Sequence, residues 1–513
     1  MPRIQLKDAG IMLADGRPLF QHLDVNLTQQ FIAITGPNGA GKSHLLAAMA
    51  KQTPLTSGHL QIQGQYYYLP QDAAHRFNSI AAMLGVEQKL NALQRAQCGQ
   101  ADPHDFAIIA DDWQLEHRWQ AQLQPQQLQL TTPFTDKSPG QRMQSFIAAL
   151  LSEPAILLLD EPSNHMDSKH RHWLATQLQQ HSAGVAIVSH DPVLLDAADH
   201  ILYLEDGAIQ HHSLGFTALQ QSLAQQQRKL QQHHQAQKAQ SRALQQALHK
   251  AQAQQQRQQS KGKQKVRAGS QSKLEADFKA DRNAKRLAQQ SHKLQQSQQQ
   301  LKQDSQYYND KQQRFYFNQA TQSRAVIELA DAQLPYVQQP PLNVRFTTAH
   351  RLRLLGDNGT GKSVLLKTLA GQLDIVHGRI ACPTEMIYLD QHCSWLSDEC
   401  SLLDAACRRL DKPQHEIITA FASVGITVNQ VSQPIAQLSG GEKVKAAIII
   451  AIQLEGYLLL DEPDNHLDIN AQLELAAVLN QIPNGFMLVS HNDYFCQQLE
   501  EVRTMTLTTT GVL

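Results

Sequence analysis

A glycine-rich motif that occurs twice constrains the fold of this 513-residue chain more than any other feature. Residues 36–43 read GPNGAGKS, and residues 356–363 read GDNGTGKS. Each copy follows a short apolar segment, at 31–34 or 352–355, which is typical of a β-strand that enters a tight turn and then a helix. The sequence therefore predicts two phosphate-binding loops, each between a strand and a helix.

Two further motifs recur after each loop, in the same order. The sequence LLDEP ends at Pro162 and at Pro463, and VSH ends at His190 and at His491. Three motifs in a fixed order indicate duplication of a whole domain. The apolar runs at 155–159, 455–460, 185–188 and 486–489 are typical of strands covered on both faces. Each copy is thus predicted to be an α/β domain built on a parallel sheet.

The chemistry of the glycine-rich motif follows from its backbone. Glycines allow successive N–H groups to wrap around phosphate oxygens, and the helix that follows adds partial positive charge. The lysine reaches the β- and γ-phosphates, and the serine hydroxyl is suited to Mg²⁺. The predicted phosphate-binding residues are Gly36, Asn38, Gly39, Gly41, Lys42 and Ser43 in the first copy, and Gly356, Asn358, Gly359, Gly361, Lys362 and Ser363 in the second.

An Asp-Glu pair follows the apolar run at 155–159 in the first copy, and another follows the run at 455–460 in the second. Asp160 and Asp461 are placed to contact the metal, and Glu161 and Glu462 follow directly, where each can polarise an attacking water. An isolated Asp-Glu pair is usually only a polar strand end. Its recurrence downstream of a phosphate-binding loop favours the functional interpretation.

Histidine and glutamine residues complete each set. A neutral imidazole at His190 or His491 could orient a γ-phosphate, although a single histidine after a buried strand is more often structural. Gln71 and Gln391 occupy matched positions after YLP and YLD and are candidate contacts to Mg²⁺ or water.

Residues 438–442 read LSGGE and precede a helical stretch at 443–454. A hydroxyl and free N–H groups at a helix start form another anion site, predicted at Ser439, Gly440 and Gly441. Because the phosphate-binding loops already hold their own phosphates, this site is predicted to serve the nucleotide of the opposite copy.

The segment between the copies differs in composition. The chain carries a formal net charge of −1, but residues 221–320 hold 19 Lys and Arg against 5 Asp and Glu, with 31 glutamines and no proline. A disordered glutamine-rich linker is one interpretation. Against it, apolar residues recur every seven positions at Leu287, Leu294, Leu301, Tyr308 and Phe315. This pattern favours two antiparallel helices, an arm of roughly 65 Å at ~1.5 Å per residue.

Basic residues are concentrated where this arm would turn. We call Lys261, Lys263, Lys265 and Arg267 the tip residues. A second basic group follows at Lys279, Arg282, Lys285 and Arg286. Both groups are predicted to contact a polyanionic partner, whereas the alternative is a solvated helix face.

The six cysteines form no C-x-x-C pair, and the longest apolar runs, such as 446–452, are far shorter than the ~20 residues that span a bilayer. We expect a cytoplasmic protein.

Together, these residues resemble the ATP-binding cassette family, and specifically its ABC-F subfamily. The stretches 161–167 (EPSNHMD) and 462–468 (EPDNHLD) are similar to the subfamily's E-P-T-N-H-L-D run. The resemblance implies two α/β nucleotide-binding domains, at 1–213 and 323–513, joined by a long antiparallel helical linker at 214–322. It also implies an ATP- and Mg²⁺-dependent ATPase, monomeric with intramolecular pairing of its domains.

The resemblance implies in addition that the protein binds the ribosome near the tRNA exit site. Its linker would extend toward the peptidyl-transferase centre and P-site tRNA, and ATP hydrolysis would drive release. General translation factors and antibiotic-resistance proteins share these motifs. Two alternatives are an energy subunit of a membrane transporter, which has no use for the basic arm, and a DNA-maintenance ATPase, whose halves are incomplete domains.

The chain departs from the family at three points. The first copy reads Ser138-Pro139-Gly140 in place of Ser-Gly-Gly, and proline lacks an N–H donor. The site that pairs Lys362 with Ser138 and Gly140 is therefore predicted to be weaker than the site that pairs Lys42 with Ser439. The usual adenine-stacking aromatic is missing near Ala14, whereas Tyr336 could supply it in the second copy. A longer spacing before Ser138 predicts an insertion of about 19 residues in the first copy.

Overall fold

A computed structural model describes residues 2–12, 16, 18–124, 127–131, 133–134, 137–164, 166–205, 207–213, 215–216, 218, 220, 325–337, 339–390, 393–396, 400–424, 426–454, 456–465, 467–508 and 511–512. The predicted helical arm with its tip residues, the second basic group at 279–286 and Gln391 lie outside the described residues. Both sequence copies, which we call the first repeat and the second repeat, belong to one unit made of Met1–Ala218 and Phe315–Leu513.

The first repeat begins with antiparallel strands and continues into an alternating α/β pattern. Its elements are β1 (Arg3–Met12), β2 (Pro18–Leu27), β3 (Phe31–Thr35), α1 (Lys42–Met49), β4 (Ser57–Gln63), β5 (Tyr66–Leu69), α2 (Ala73–Arg76), α3 (Ile80–Met83), α4 (Glu87–Gln97), α5 (Pro103–Ile109), α6 (Leu115–Leu123), α7 (Pro139–Leu151), β6 (Ile156–Asp160), α8 (Ser168–Gln180), β7 (Val185–Val188), α9 (Pro192–Ala197), β8 (His200–Glu205) and β9 (Ala208–His212).

The second repeat has the same element order around its sheets. Its elements are β10 (Val326–Gln333), β11 (Leu342–Thr347), β12 (Arg351–Leu355), α10 (Lys362–Leu369), β13 (His377–Ala381), β14 (Met386–Leu389), α11 (Leu402–Arg409), α12 (Gln414–Ser423), α13 (Val428–Ser432), a 3-10 turn (Ile435–Gln437), α14 (Gly440–Gln453), β15 (Tyr457–Asp461), α15 (Ile469–Asn480), β16 (Phe486–Val489), α16 (Asp493–Gln497), β17 (Val502–Thr508) and β18 (Gly511–Val512).

A six-stranded sheet forms the centre of each repeat, in the order β5-β6-β7-β3-β8-β9 and β14-β15-β16-β12-β17-β18. All neighbours pair in parallel except the last strand, which is antiparallel. Strands β3, β6 and β7 are buried along their whole length, so their sequences are continuously apolar. One face of the sheet packs against α1 and the antiparallel strands β1 and β2. The strands predicted from the sequence are confirmed.

The strand register brings the motifs of each repeat to one edge of the sheet. Val188 pairs with Ile34 on one side and with Asp160 on the other, so β3, β7 and β6 end side by side. Ligands of open α/β sheets bind at the carboxyl ends of the strands. The same register recurs in the second repeat, where Val489 pairs with Leu354 and Asp461.

A separate antiparallel sheet, β2-β1-β4 or β11-β10-β13, and a helical layer complete each repeat. The first repeat places α2–α6 between β5 and α7, whereas the second places α11–α13 and the 3-10 turn between β14 and α14. Among the described helices, none is both long and apolar enough to cross a bilayer.

Candidate functional site

The glycine-rich loop of the first repeat requires glycine at its first position. Gly36 has φ 144°, and a Cβ there would lie 2.0 Å from the carbonyl oxygen of Leu204. Helix α1 begins at Lys42, whose Nζ donates to the carbonyl oxygens of Gly36 and Pro37, both at 2.9 Å. The lysine therefore lies over its own loop, at the place where the sequence predicts phosphates.

The second loop repeats this arrangement. The Nζ of Lys362 donates to the carbonyl oxygens of Gly356 at 2.7 Å and Asp357 at 3.0 Å. Burial lowers the pKa of Lys42 and Lys362, and the nearby carboxylates of each site oppose that shift. Two buried ammonium groups thus lie beside backbone carbonyls, where an anion would give each a stronger partner.

The predicted metal-contacting residues adjoin the loops. The Ser43 hydroxyl donates to Oδ1 of Asp160 at 3.2 Å, so two oxygen ligands of the kind Mg²⁺ prefers lie together. Burial raises the pKa of Asp160, and the hydrogen bond from Ser43 opposes that rise. In the second repeat, the Tyr388 hydroxyl donates to Oδ2 of Asp461 at 2.9 Å.

Glu161 and Glu462 have strained backbones. Their φ angles are 49° and 50°, in the left-handed region that side-chain-bearing residues rarely adopt. Each N–H donates at 2.9 Å to the neighbouring strand, to Val188 or to Val489, and this hydrogen bond holds the turn in place. Burial, reinforced by the adjacent aspartate, raises the pKa of Glu161 to about 8 and that of Glu462 to about 7.

The two histidines lie next to these glutamates. Nε2 of His190 is 3.8 Å from Oε1 of Glu161, and Nε2 of His491 is 3.9 Å from Oε1 of Glu462. Both Nε2 atoms are buried without a hydrogen-bond partner among the described residues. Burial, aided by the nearby lysine, lowers the pKa of His190 to about 3 and that of His491 to about 4, so both are neutral at pH 7. A buried, unpartnered nitrogen facing each glutamate fits a missing polar ligand.

The two signature segments have the same backbone. Ser138 and Ser439 are the N-caps of α7 and α14, with φ/ψ of −63°/158° and −64°/158°. Each hydroxyl accepts from the backbone N–H three residues later at 3.3 Å. Pro139 and Gly440 are the first helical residues, so the first helix lacks an exposed N–H that the second has.

The other predicted site residues lie less centrally. Gln71 lies in the turn after β5, whereas its counterpart Gln391 lies outside the described residues. Tyr336 is 90% exposed, and its neighbour Val337 is the side chain nearest to Gly361. Ala14 lies outside the described residues.

The loop of each repeat contacts the helix that follows the acidic motif of the other. The N–H of Asn38 donates to Oδ2 of Asp468 at 2.8 Å. Across the other contact, Nζ of Lys169 lies 3.0 Å from Oδ2 of Asp357. The repeats therefore face each other head to tail, which is the arrangement needed if each nucleotide site combines residues of both repeats. The pairing of each loop with the opposite signature serines stays a prediction.

Sequence reasoning missed a set of residues between the two histidines. Arg171 and Asp191 in the first repeat, and Gln472 and Asn492 in the second, are all buried near the junction of the repeats. The sequence signal that could have identified them is their matched position in the two repeats. Asp191 and Asn492 directly follow the histidines, and Arg171 and Gln472 lie four residues after Asp167 and Asp468.

The fold and site define a class: a protein with two P-loop nucleotide-binding domains in one chain. The family model described as "ABC transporter" matches residues 21–164 and 340–465, more than half of the chain. The chain belongs to this family of ATP-binding cassette ATPases. It is 26% identical to "ATP-binding cassette sub-family F member 3" of Homo sapiens, over 97% of this chain and 70% of that one. The name of that relative places it in sub-family F, the subfamily whose motifs this sequence resembles.

Other known proteins share the same organisation. "Uncharacterized ABC transporter ATP-binding protein YfmM" of Bacillus subtilis is 26% identical, with all of both chains covered. Among solved structures, "RNase-L Inhibitor" matches 99% of this chain and 90% of its own at a TM-score of 0.52 and 15% identity. A "Model of ribosome-bound archaeal Pelota and ABCE1" matches 99% of this chain and 78% of its own at a TM-score of 0.54 and 15% identity. These structures support the tandem fold.

Proposed function

We propose that this ATPase binds the ribosome at the tRNA exit site in its ATP-bound state and is released when ATP is hydrolysed. The observation that carries the proposal is the head-to-tail contact of two ATP sites in a chain whose intervening segment has an excess of 14 positive charges. A polyanionic partner matches that segment. The solved structure described as ribosome-bound, which shares the tandem fold, adds support.

In this proposal, the arm at 214–322 extends toward the peptidyl-transferase centre and P-site tRNA. The tip residues and the second basic group contact RNA phosphates. The bound protein modulates translation or protects the ribosome from antibiotics, and it acts in the cytoplasm as a monomer.

The ATP sites would work as follows. Lys42 and Lys362 exchange their backbone carbonyl partners for phosphate oxygens. Ser43 with Asp160, and Ser363 with Asp461, hold Mg²⁺, assisted by Gln71 and Gln391. The metal neutralises charge that develops on the transferred phosphate. The glycines and asparagines of both loops supply backbone N–H groups to the phosphates.

Glu161 and Glu462 orient the attacking water. A carboxylate whose pKa lies near the working pH is suited to accept a proton. The neutral imidazoles of His190 and His491 place an unpartnered Nε2 beside each glutamate, ready to donate to a γ-phosphate. Ser439, Gly440 and Gly441 complete the site of Lys42, and Ser138 with Gly140 complete the site of Lys362. Tyr336 stacks on the adenine of the second site.

Co-sedimentation tests the choice of partner. A Glu161→Gln, Glu462→Gln variant with ATP is expected to pellet with ribosomes, but not with membrane vesicles or duplex DNA. Pelleting with vesicles would favour a transporter subunit, and pelleting with duplex DNA would favour a DNA-maintenance ATPase. Either result without ribosome binding would refute the proposal.

Salt dependence tests the arm. Replacing the four tip residues by alanine removes up to four phosphate contacts. The slope of log affinity against log salt should then become shallower by about 3. A matched control removes four exposed positive charges from the repeats, at Lys7, Arg76, Arg379 and Lys412. An unchanged slope in the tip variant, or an equal change in the control, would exclude the tip residues as the RNA contact.

A further inference from the structure

The residues that follow the two histidines differ in charge between the repeats. In the first repeat, Nε of Arg171 lies 3.4 Å from Oδ2 of Asp191, the residue after His190. At the matched positions of the second repeat, Nδ2 of Asn492 donates to Oε1 of Gln472 at 3.0 Å. An ion pair in one repeat is thus replaced by a neutral amide pair of similar shape in the other.

The arginine extends further than the glutamine does. Nε of Arg171 donates to the carbonyl oxygen of Met166 at 2.9 Å, and Nη1 donates across the junction to the carbonyl oxygen of His491 at 3.4 Å. Gln472 makes the matching local bond, from Nε2 to the carbonyl oxygen of Leu467 at 3.0 Å. Its two bonds stay within the second repeat.

The charged side chains that make these contacts are buried. Arg171 is 9% exposed and Asp191 is 8% exposed, so neither charge can exchange its partner for water without movement of the surrounding segments. A planar guanidinium carries five N–H donors in fixed directions, whereas an amide carries two, so Arg171 can hold more acceptors at once than Gln472 can. Arg171 therefore joins three segments: the loop after Glu161, the segment after His190, and the backbone of His491.

We propose that Arg171 is a positioning residue that couples the two ATP sites, because it fixes the backbone of His491 against the segment that follows His190. A shift of one histidine segment on ATP binding is then transmitted to the other. Of the two matched residues, Arg171 makes a hydrogen bond across the junction, whereas the hydrogen bonds that the described part of the chain shows for Gln472 stay within the second repeat. The proposal rests on the ATP sites described above.

The test exchanges the charged pair for the neutral pair that the protein already uses. In the full chain with Glu161→Gln and Glu462→Gln, which removes hydrolysis, ATP binding with Mg²⁺ is measured by isothermal titration calorimetry. We expect two ATP molecules to bind cooperatively, with the second binding at least fivefold tighter than the first. Adding Arg171→Gln and Asp191→Asn should reduce the factor by which one bound ATP tightens binding of the other to less than twofold.

Lys169→Gln is the matched control. It removes one positive charge from the same helix and the same junction, but its ion pair with Asp357 is exposed on both sides, at 76% and 64%. Exposed pairs contribute little, so the ratio of affinities should change less than twofold.

Three results separate the outcomes. Two independent affinities in the parent, or unchanged cooperativity in the exchanged variant, would overturn the coupling while leaving the ATP sites intact. Absence of ATP binding in the parent would instead refute the sites themselves. If the exchanged variant does not fold, Arg171→Lys is measured in its place. It keeps a charge beside Asp191 without the second nitrogen, and cooperativity equal to the parent's would likewise overturn the proposal.

Discussion

Gly440→Pro would give the second repeat the signature of the first. The substitution suits the helix, because Gly440 is the first residue of α14 and proline is favoured there. A Cβ at Gly440 meets nothing within 4 Å. The preceding Ser439 already has ψ 158°, a conformation that proline tolerates in its neighbour, and Ser138 before Pro139 has the same value. The fold should therefore persist.

The expected effect on catalysis follows from the lost donor. A hydrogen bond to a charged group contributes about 1.5–3 kcal/mol. Removal of the Gly440 N–H from the γ-phosphate should thus lower kcat/KM of the site that contains Lys42 by roughly 10- to 150-fold. No comparable loss is expected at the site that contains Lys362, since we propose that this site pairs with Ser138 and Pro139.

The loss of turnover at each site can be measured by steady-state ATP hydrolysis in two variant backgrounds, each with one catalytic glutamate replaced. Glu462→Gln leaves turnover from the site of Lys42, and Glu161→Gln leaves turnover from the site of Lys362. Gly440→Pro should act in the first background, and the reverse change, Pro139→Gly, should raise turnover in the second. A loss of less than threefold in the first background, with the melting temperature unchanged, would refute the assignment of this N–H to phosphate. So would an equal loss in both backgrounds.

Three other predictions concern single residues. Glu161→Gln should slow total ATP turnover more than Glu462→Gln does, because we propose that the site of Lys42 pairs with the complete signature at Ser439. Equal slowing by the two variants in a steady-state assay would contradict the prediction of unequal sites. The pKa of Glu161 is raised to about 8 from an ordinary value near 4.5, so burial of its charge costs stability as pH rises from about 4.5 to 8. Without nucleotide, the melting temperature of Glu161→Gln should exceed that of the parent, and the difference should grow as the pH rises from about 4.5 to 8. A difference that stayed constant over these pH values would be inconsistent with a raised pKa of Glu161. Phe216 is 3% exposed and packs edge-on against Tyr494, with ring centroids 5.4 Å apart, so Phe216→Ala should lower the free energy of unfolding by about 3 kcal/mol in urea titration. Phe216→Leu, which retains most of the volume, should lose less than half as much.

The sequence predicted the features that depend on local pattern. Strands such as Val185–Val188 are buried on both faces, and this leaves a continuous apolar run that is readable without coordinates. Ser439 followed by Glu442 is a capping box, which is a local signal for a helix start. The predicted stretch at 443–454 began three residues too late, because α14 begins at Gly440. Because the domain is duplicated, each strand or loop predicted in one repeat also identified its counterpart in the other.

Features that depend on long-range contact were not predictable. The left-handed backbone of Glu161 is held by the carbonyl of Val188, which becomes its neighbour only when β6 pairs with β7. The bond from Arg171 to His491 joins residues 320 positions apart in different repeats. No periodicity in the chain specifies either contact, because both arise from how complete domains pack.

Several differences between the repeats concern the site that contains Lys362. The first repeat extends Lys169 to Asp357 and Arg171 to the carbonyl of His491, so two of its cations contact the loop and histidine segments of the second site. In the proposed pairing of loops and signatures, the same repeat gives that site a signature with proline at position 139. The exposed Lys169–Asp357 pair contributes little, whereas the buried Arg171 holds the histidine segment of that site in place. A donor that acts on the γ-phosphate in the transition state lowers the barrier to hydrolysis, and proline lacks that donor. We therefore expect the site of Lys362 to retain ATP while the site of Lys42 turns over, so that one bound nucleotide keeps the repeats associated between cycles. A single-turnover experiment in which both sites released ADP at the same rate would contradict this division.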